Sequence, residues 1–278
     1  MVDTDRALYI ESPMPDVPIN RRLLLSGLAL LAGAGLAGCA MPRELRTPLE
    51  TLVLPAAPGQ RADTLIVFLP GSMEVPLDIV QQGFVAQVRE RQIGADVVVV
   101  DSHIGYFRRM VIIDRLREDV IGPARAQGYR QIWLAGISLG GYGALLYAML
   151  HPQDIAGVIA IAPFVAPTAL LDEVNAAGGL ARWRAPDPKT ASQSRDMGRR
   201  LLAWLQRYGQ DAGLPVLYMG YGDSDRLQPG PPLMAGILPE PQVLRAPGGH
   251  DWPPWRQIWG EALDRALLPS SARAAAPR

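Results

Sequence analysis

The chain has 278 residues, and its 27 Lys and Arg residues balance its 27 Asp and Glu residues, so the formal net charge is zero. Nothing in this balance indicates a nucleic-acid partner or a polybasic membrane patch, and neither is expected. The single cysteine, Cys39, excludes an intrachain disulfide and a cysteine-rich metal site. No metal-ligand spacing and no phosphate-binding loop occurs in the sequence, so neither a metal nor another cofactor is expected.

The N-terminal segment has the pattern of an export signal. Arg21 and Arg22 precede the apolar stretch Leu23 to Ala37, which is too short to span a bilayer. The residues Leu36-Ala37-Gly38-Cys39 resemble the lipobox of bacterial lipoproteins, in which the cysteine is lipidated; a buried helix that ends in a chance cysteine is the alternative. We therefore predict an export signal over residues 1–39, a membrane anchor at lipidated Cys39, a tether over residues 40–50, and a location in the bacterial envelope facing the periplasm or exterior.

Short apolar runs alternate with helical patterns along the rest of the chain. The runs predict strands at Thr51 to Leu54, Thr64 to Leu69, Asp96 to Val100, Ile132 to Ala135, Ile155 to Ala162, Val216 to Met219 and Val243 to Ala246. The spacing of apolar residues predicts helices at Leu77 to Arg91, Val111 to Gln127, Gly143 to Leu150 and Trp255 to Leu268. This alternation is typical of one α/β domain with a mostly parallel sheet. We place that domain at residues 51–268, followed by a disordered tail at 269–278.

The alternation lapses between Phe164 and Leu214. This insertion lies between the strand that ends near Ala162 and the strand that starts near Pro215. A segment of this length beside the carboxyl edge of a sheet is typical of a lid or pocket wall, and a surface excursion around ordinary helices is the alternative.

The most informative motif is Gly136-Ile137-Ser138-Leu139-Gly140, which fits the G-x-S-x-G nucleophile elbow. It lies between a predicted strand and a predicted helix, the context that gives the motif its meaning. The two glycines lack a Cβ, so strand and helix can approach closely around a sharp turn. The helix start directs its free N–H groups towards the serine, where negative charge would develop.

An acid and a base follow two later strands. The strand at Val216 to Met219 leads to Asp223 and Asp225, and the last strand leads to His250. The carboxyl ends of parallel strands meet at one edge, so Ser138, an aspartate and His250 are expected there in the order Ser, Asp, His. His250 is the best general base for Ser138 because histidine titrates near neutrality, and it needs a carboxylate at its other ring nitrogen.

The elbow and the segment Gly248-Gly-His-Asp-Trp252-Pro-Pro-Trp255-Arg are similar to those of esterase-D-like and enterochelin-esterase-like enzymes of the α/β-hydrolase fold. The resemblance covers residues 64–268 and implies that Asp225 is the acid, since related sequences carry it just before Arg-Leu. Asp223 is the alternative, with a role in capping its turn otherwise. Asp251 adjoins His250 in sequence, and neighbouring side chains seldom point together.

The resemblance also places the oxyanion hole. One donor is expected to be the backbone N–H of Leu139, and the other the N–H of Ser72, with Met73 as the second choice. A proline, Pro70, stands where the family usually has histidine, which leaves the exact second donor open.

The remaining candidates have structural alternatives. We predict Met73, His103 and Tyr106 as substrate-binding residues, and a surface-loop histidine is the alternative for His103. Packing of the last helix is favoured over a pocket wall for Trp252 and Trp255.

These residues predict a serine hydrolase that cleaves small or lipid-like carboxylic esters through an acyl-enzyme. The same groups also support an acyltransferase or peptidase of the envelope, and a non-catalytic binding lipoprotein with the same fold is a further alternative.

Overall fold

The computed structural model describes residues 43–58, 62–185, 193–208, 210–227 and 229–266. The chain divides into two units, Met1–Arg43 and Glu44–Arg278, and every described residue except Arg43 belongs to the second. The predicted export signal, Cys39 and the predicted C-terminal tail lie outside the described residues. No helix in the described ranges is long and apolar enough to cross a membrane.

A seven-stranded sheet lies at the centre of the described chain. Its strands are β1 (Thr51–Leu54), β2 (Thr64–Leu69), β3 (Ala95–Val100), β4 (Gln131–Ile137), β5 (Gly157–Ile161), β6 (Val216–Gly222) and β7 (Val243–Ala246). Their order across the sheet is β1-β3-β2-β4-β5-β6-β7. The edge strand β1 pairs antiparallel with β3, and every other neighbouring pair is parallel. The predicted mostly parallel sheet is confirmed.

The central strands are buried on both faces, which explains their unbroken apolar sequences. All residues of β2 and β5 are buried. Alternate side chains of β2 enter different cores: Val67 packs on one face, whereas Ile66 and Phe68 pack on the other. Helices on both faces of the sheet cover these two cores.

The helices connect successive strands. They are α1 (Pro76–Gln81), α2 (Phe84–Glu90), α3 (Ile104–Arg108), α4 (Ile112–Arg115), α5 (Gly122–Ala126), α6 (Leu139–Leu150), α7 (Thr168–Ala176), α8 (Gln193–Leu205), α9 (Gly230–Ala235) and α10 (Trp252–Arg265). A π-helical segment, Leu116–Ile121, joins α4 to α5.

Two predicted helices differ from the structure in their continuity. The helix expected over Leu77 to Arg91 is divided into α1 and α2, because Gly83 adopts a left-handed φ of 81°. The helix expected over Val111 to Gln127 consists of α4, the π-helical segment and α5 in direct succession. A Cβ on Gly122 would lie 2.8 Å from the Arg117 carbonyl oxygen, so this wider turn needs a glycine there.

The second half of the predicted tether packs on the domain. Leu49 is buried, and its N–H donates a hydrogen bond of 2.8 Å to Asp119. The N–H and carbonyl of Arg46 are both bonded to the Tyr106 hydroxyl, at 2.9 and 3.0 Å. Residues 44–50 therefore belong to the folded domain.

A partly exposed ion pair joins the helices of the insertion. Arg199 of α8 donates two hydrogen bonds to the Glu173 carboxylate of α7, at 2.7 and 2.6 Å, and the Trp183 indole N–H donates a third at 2.9 Å. The hydrogen bonds from Arg199 and Trp183 lower the pKa of Glu173 to about 2. The described part of the insertion is thus tied together around one carboxylate.

Candidate active site

Ser138 occupies a sharp turn between β4 and α6. Its backbone, with a φ of 52° and a ψ of −114°, has a conformation that residues other than glycine rarely adopt. Such a conformation costs on the order of 1–3 kcal/mol. Three backbone hydrogen bonds fix the turn. The Ser138 N–H donates to Ile161 at 2.9 Å, and its carbonyl accepts from Tyr142 and Phe164 at 3.1 and 3.0 Å. The serine is therefore held in a strained geometry by the neighbouring strand and helix.

The two elbow glycines allow backbone segments to touch. A Cβ on Gly136 would lie 2.7 Å from the Gly141 nitrogen at the helix start. A Cβ on Gly140 would overlap the carbonyl oxygens of Leu69 and Pro70, which end β2 and begin the loop after it. The elbow is thereby packed directly against that loop.

His250 and Asp225 are joined by a hydrogen bond. Nδ1 of His250 lies 2.7 Å from Oδ2 of Asp225, and the two side chains are 12% and 1% exposed. Oδ1 of Asp225 accepts the Leu227 N–H at 2.9 Å. An ionised carboxylate only accepts, so Nδ1 carries the proton and Nε2 is left as the basic nitrogen.

Asp223 has a different position. Its carboxylate is exposed, and its Oδ1 accepts hydrogen bonds of 3.1 Å from both the Gly248 N–H and the Ser224 hydroxyl. These contacts match the turn-capping role considered for Asp223. Asp251 is exposed at the N-cap of α10. Of the three aspartates, Asp225 is the one that is hydrogen-bonded to the imidazole.

The three candidate side chains share one edge of the sheet. Ser138 follows β4, Asp225 follows β6 and His250 follows β7, and β4 to β7 are consecutive, parallel neighbours. A backbone hydrogen bond links two of these strands near the edge: the Ala162 N–H, directly after β5, donates to the Gly220 carbonyl of β6 at 2.6 Å. The carboxyl ends of parallel strands are the usual place for reactive groups in such sheets.

The candidate oxyanion donors lie on two adjoining segments. Leu139 is the first residue of α6, so its N–H has no acceptor within the helix. Ser72 is half-buried in the loop after β2 that Gly140 contacts. The Met73 N–H donates to the Glu74 carboxylate at 3.3 Å, and the Met73 side chain is 87% exposed. Ser72 therefore stays the first choice for the second donor.

His103 and Tyr106, predicted as substrate-binding residues, face the polypeptide before β1. His103 is 4% exposed, so it is not the surface histidine of the alternative either. Its Nε2 lies 3.3 Å from the Glu44 carbonyl, and its Nδ1 accepts the Gly105 N–H at 3.2 Å. With Tyr106 bonded to Arg46, both side chains anchor residues 44–46, and a structural role is favoured for them.

Three aromatic residues beside Ser138 or His250 were not predicted as catalytic or substrate-binding residues. Trp255 is 3% exposed and stands edge to face with the His250 ring, at 4.9 Å between centroids and 86° between planes. Tyr142 and Phe164, whose N–H groups bond to Ser138, contact each other at 5.2 Å. Burial raises the pKa of Tyr142. The sequence offered Trp255 as a pocket wall because it lies near His250, although packing was favoured; the signal for Tyr142 is its place one helical turn after Ser138.

Among the described residues, no cluster of three or more His, Cys, Asp or Glu side chains could hold a metal ion. The residues gathered here instead suit nucleophilic chemistry: a strained serine, a histidine oriented by a carboxylate, and free backbone N–H groups at a helix start.

Comparison with known proteins agrees with this chemistry. Residues 112–225, which include Ser138 and Asp225, match the model of the Esterase family, described as "Putative esterase". A search of curated proteins finds no match.

Solved structures show the same fold at low sequence identity. The chain is similar to Est1E from Butyrivibrio proteoclasticus, with a TM-score of 0.55, 17% identity, and coverage of 81% of this chain and 95% of that one. It is similar to an S-formylglutathione hydrolase from Agrobacterium tumefaciens, with a TM-score of 0.51, 14% identity, and coverage of 80% and 90%. For the fluorophosphonate-binding serine hydrolase F of Staphylococcus aureus these values are 0.50, 16%, 78% and 91%. The predicted fold and the resemblance to esterase-type enzymes are confirmed.

Proposed function

We propose that this chain, an α/β-hydrolase whose centre matches the Esterase family, is a serine hydrolase that cleaves carboxylic esters through an acyl-enzyme. The proposal assigns Ser138 as the nucleophile, His250 as the general base and Asp225 as the acid that orients it. The observation that carries it is the 2.7 Å bond between His250 and Asp225 at the sheet edge where Ser138 takes its strained turn.

The roles follow from the chemistry of each group. A serine hydroxyl is a weak nucleophile until a base takes its proton, and the unprotonated Nε2 of His250 is suited to that step. The serine oxygen then attacks the ester carbonyl carbon, and His250 returns the proton to the departing alcohol oxygen. Water repeats the sequence on the acyl-enzyme and releases the acid. Asp225 keeps its negative charge and stabilises the imidazolium formed in each half.

The oxyanion of each tetrahedral intermediate needs fixed donors. The proposal gives this task to the N–H groups of Leu139 and Ser72. Loss of one such donor typically costs about 3 kcal/mol of transition-state stabilisation. Since both donors are backbone groups, the packing of Gly140 against the loop after β2 supports their alignment.

The test is the hydrolysis of p-nitrophenyl acetate and butyrate by Ser138→Ala and His250→Ala. Each variant is expected to lose on the order of 10⁴-fold or more in kcat, as in other serine hydrolases. A fluorophosphonate probe is expected to label the unmodified protein and not Ser138→Ala. Unchanged turnover in either variant with a folded circular dichroism spectrum would remove the assignment.

We further propose that the enzyme works at the bacterial envelope, anchored through lipidated Cys39. The support is the lipobox pattern at residues 36–39 after an apolar stretch that follows two arginines. Labelled palmitate should be incorporated into the expressed protein and lost in Cys39→Ser. Incorporation that persists in that variant would argue against the anchor.

A further inference from the structure

An apolar cavity of about 390 Å³ lies beside the helix that carries the elbow. One wall is a single face of α6, formed by Tyr142, Leu146 and Leu150 at successive four-residue intervals. The facing walls come from the segment at residues 107–114 and from Met197 of α8. We propose that this cavity binds the acyl chain of a medium-length ester, an inference that rests on the function proposed above.

One lining residue of the cavity lies a single helical turn from Ser138. Tyr142, the first lining residue on α6, donates its backbone N–H to the Ser138 carbonyl, and four residues of helix correspond to about 6 Å along the axis. The Tyr142 ring lies between two other aromatic rings, with centroids 6.4 Å from Phe107 and 5.2 Å from Phe164. An apolar surface therefore begins one helical turn from the proposed nucleophile.

The topology distinguishes the acyl side of the ester from the alcohol side. Phe107 belongs to the chain after β3, whereas His250 follows β7, and these strands lie on opposite sides of β4 in the sheet. The departing alcohol must receive its proton from His250 and so lies towards β7. The acyl group then extends the other way, towards the cavity.

The dimensions suit a chain of medium length. From Tyr142 to Leu150 the helix rises about 12 Å at 1.5 Å per residue. A volume of 390 Å³ corresponds to about a dozen groups of the size of one water in the liquid, each about 30 Å³, and a methylene is of similar size. The polar side chains of Asp114 and His151 also line the cavity, and His151 follows the C-terminal end of α6. These polar groups limit the apolar depth.

The walls can also adapt to their occupant. Met110 and Met197 both line the cavity, and unbranched thioether side chains fit apolar surfaces of varied shape. Met110 has a φ of 57°, a left-handed conformation that is costly for a residue with a Cβ. This strain at a cavity wall is consistent with a binding role, in which strained residues are common.

The experiment is a ladder of p-nitrophenyl esters from acetate through butyrate, hexanoate and octanoate to decanoate, run beside a ladder of alkyl acetates. Each methylene that is fully buried should raise kcat/KM by about fourfold, the equivalent of about 0.8 kcal/mol. The rise should appear along the acyl series, level off once the cavity is full, and be weaker along the alcohol series.

Two variants narrow the cavity from different walls, Leu150→Trp on α6 and Ile113→Trp opposite. Each should lower the ratio of kcat/KM for octanoate over acetate by about 16-fold, the value of two buried methylenes. Val53→Trp, on the exposed edge strand β1, is the matched control and should keep the full ladder.

The outcomes separate this inference from the proposed function. Acetate turnover that requires Ser138, combined with a flat acyl ladder or a steeper alcohol ladder, would overturn the acyl cavity and leave the esterase standing. Acetate turnover that persists in Ser138→Ala would remove the function on which the inference rests. Should both tryptophan variants fail to fold, the wild-type acyl and alcohol ladders still decide, because only a rise along the acyl series supports the cavity.

Discussion

His250 donates its Nδ1 proton to Asp225 across 2.7 Å, and the carboxylate that accepts it is 1% exposed. The second oxygen of Asp225 accepts the Leu227 N–H, so both oxygens have a donor on the protein. A buried carboxylate held in this way cannot rotate freely, and it fixes both the tautomer and the orientation of the ring. Asp223, two residues earlier, is exposed and bonded to its own turn.

Replacement of Asp225 by Asn is therefore expected to damage catalysis while the shape of the site is kept. The amide can donate as well as accept, and the imidazole loses both its fixed tautomer and its counter-charge. We expect kcat on p-nitrophenyl butyrate to fall by about 10³- to 10⁴-fold. Asp223→Asn is the matched control and should retain kcat within about threefold, since its side chain is exposed and an amide oxygen can still accept the bonds from Gly248 and Ser224. A larger loss of kcat in Asp223→Asn than in Asp225→Asn would identify Asp223 as the acid that acts with His250.

The elbow could be predicted from sequence because its signal is local. A strand, a glycine-flanked serine and a helix follow one another at Gly136 to Gly140, and the strand–helix alternation predicts the parallel sheet. The predicted start of α6 was wrong, however: the helix begins at Leu139 and not at Gly143. Gly140 and Gly141 weaken helix formation by about 1 kcal/mol each relative to alanine, which favours a later start, at Gly143. The helix nevertheless begins at Leu139, and the close contact of Gly140 with the loop after β2 explains why a glycine stands there.

Contacts that depend on distant segments could not be predicted. His103 follows β3 at the same edge of the sheet as Ser138, which suggested a place in a pocket. In the structure, however, the polypeptide at Glu44 covers the His103 side chain. Tyr106 is similarly bonded to Arg46, 60 residues earlier. The cavity beside α6 also needs tertiary structure, because Met197 of the insertion lies far along the chain from Phe107.

Gly140→Ala is expected to disturb the site through packing alone. The added Cβ would overlap the carbonyl oxygens of Leu69 and Pro70, and backbone atoms cannot move aside as a flexible side chain can. We expect a loss of at least about 2 kcal/mol in the free energy of unfolding, in the range of overpacked cores, together with a fall in kcat.

Chemical denaturation and initial rates measure both effects of Gly140→Ala. Gly236→Ala is the control, because among the residues that the structure describes its Cβ would meet the Leu233 carbonyl oxygen alone, at an ordinary 3.7 Å. Equal stability of the two variants would show that the elbow does not need its close contact with the loop.

Trp255→Leu is expected to lower kcat through His250. The indole stands edge to face with the imidazole, and removal of the aromatic ring takes away a contact that orients the base and interacts favourably with its cationic form. A loss of about 0.5–2 kcal/mol corresponds to a fall of roughly 2- to 30-fold in kcat. Trp255→Phe should recover part of that loss, whereas the leucine variant should not. Equal kcat values for the Phe and Leu variants would mean that Trp255 contributes packing volume and no aromatic interaction with His250.

The Glu173 carboxylate is expected to make the insertion sensitive to acid. The folded protein lowers the pKa of Glu173 from 4.5 to about 2, mainly through its hydrogen bonds with Arg199 and Trp183. A lowered carboxyl pKa means that the stabilisation is complete above the unfolded value and is lost as the pH falls through the folded value. The melting temperature of the wild type should therefore fall as the pH is lowered from about 4.5 towards 2. Glu173→Gln should be less stable near neutral pH and show a smaller fall over that window.

The measurement is thermal unfolding by circular dichroism at a series of pH values for the wild type and two variants. Glu261→Gln is the control, because its surface pair with Arg265, at 3.3 Å between neighbouring turns of α10, lies outside the insertion. Other carboxylates also titrate between pH 2 and 4.5, so the test is the difference between the Glu173→Gln curve and the other two. Three parallel curves would mean that the hydrogen bonds of Glu173 with Arg199 and Trp183 do not contribute measurably to stability. Apolar packing would then hold the insertion in place.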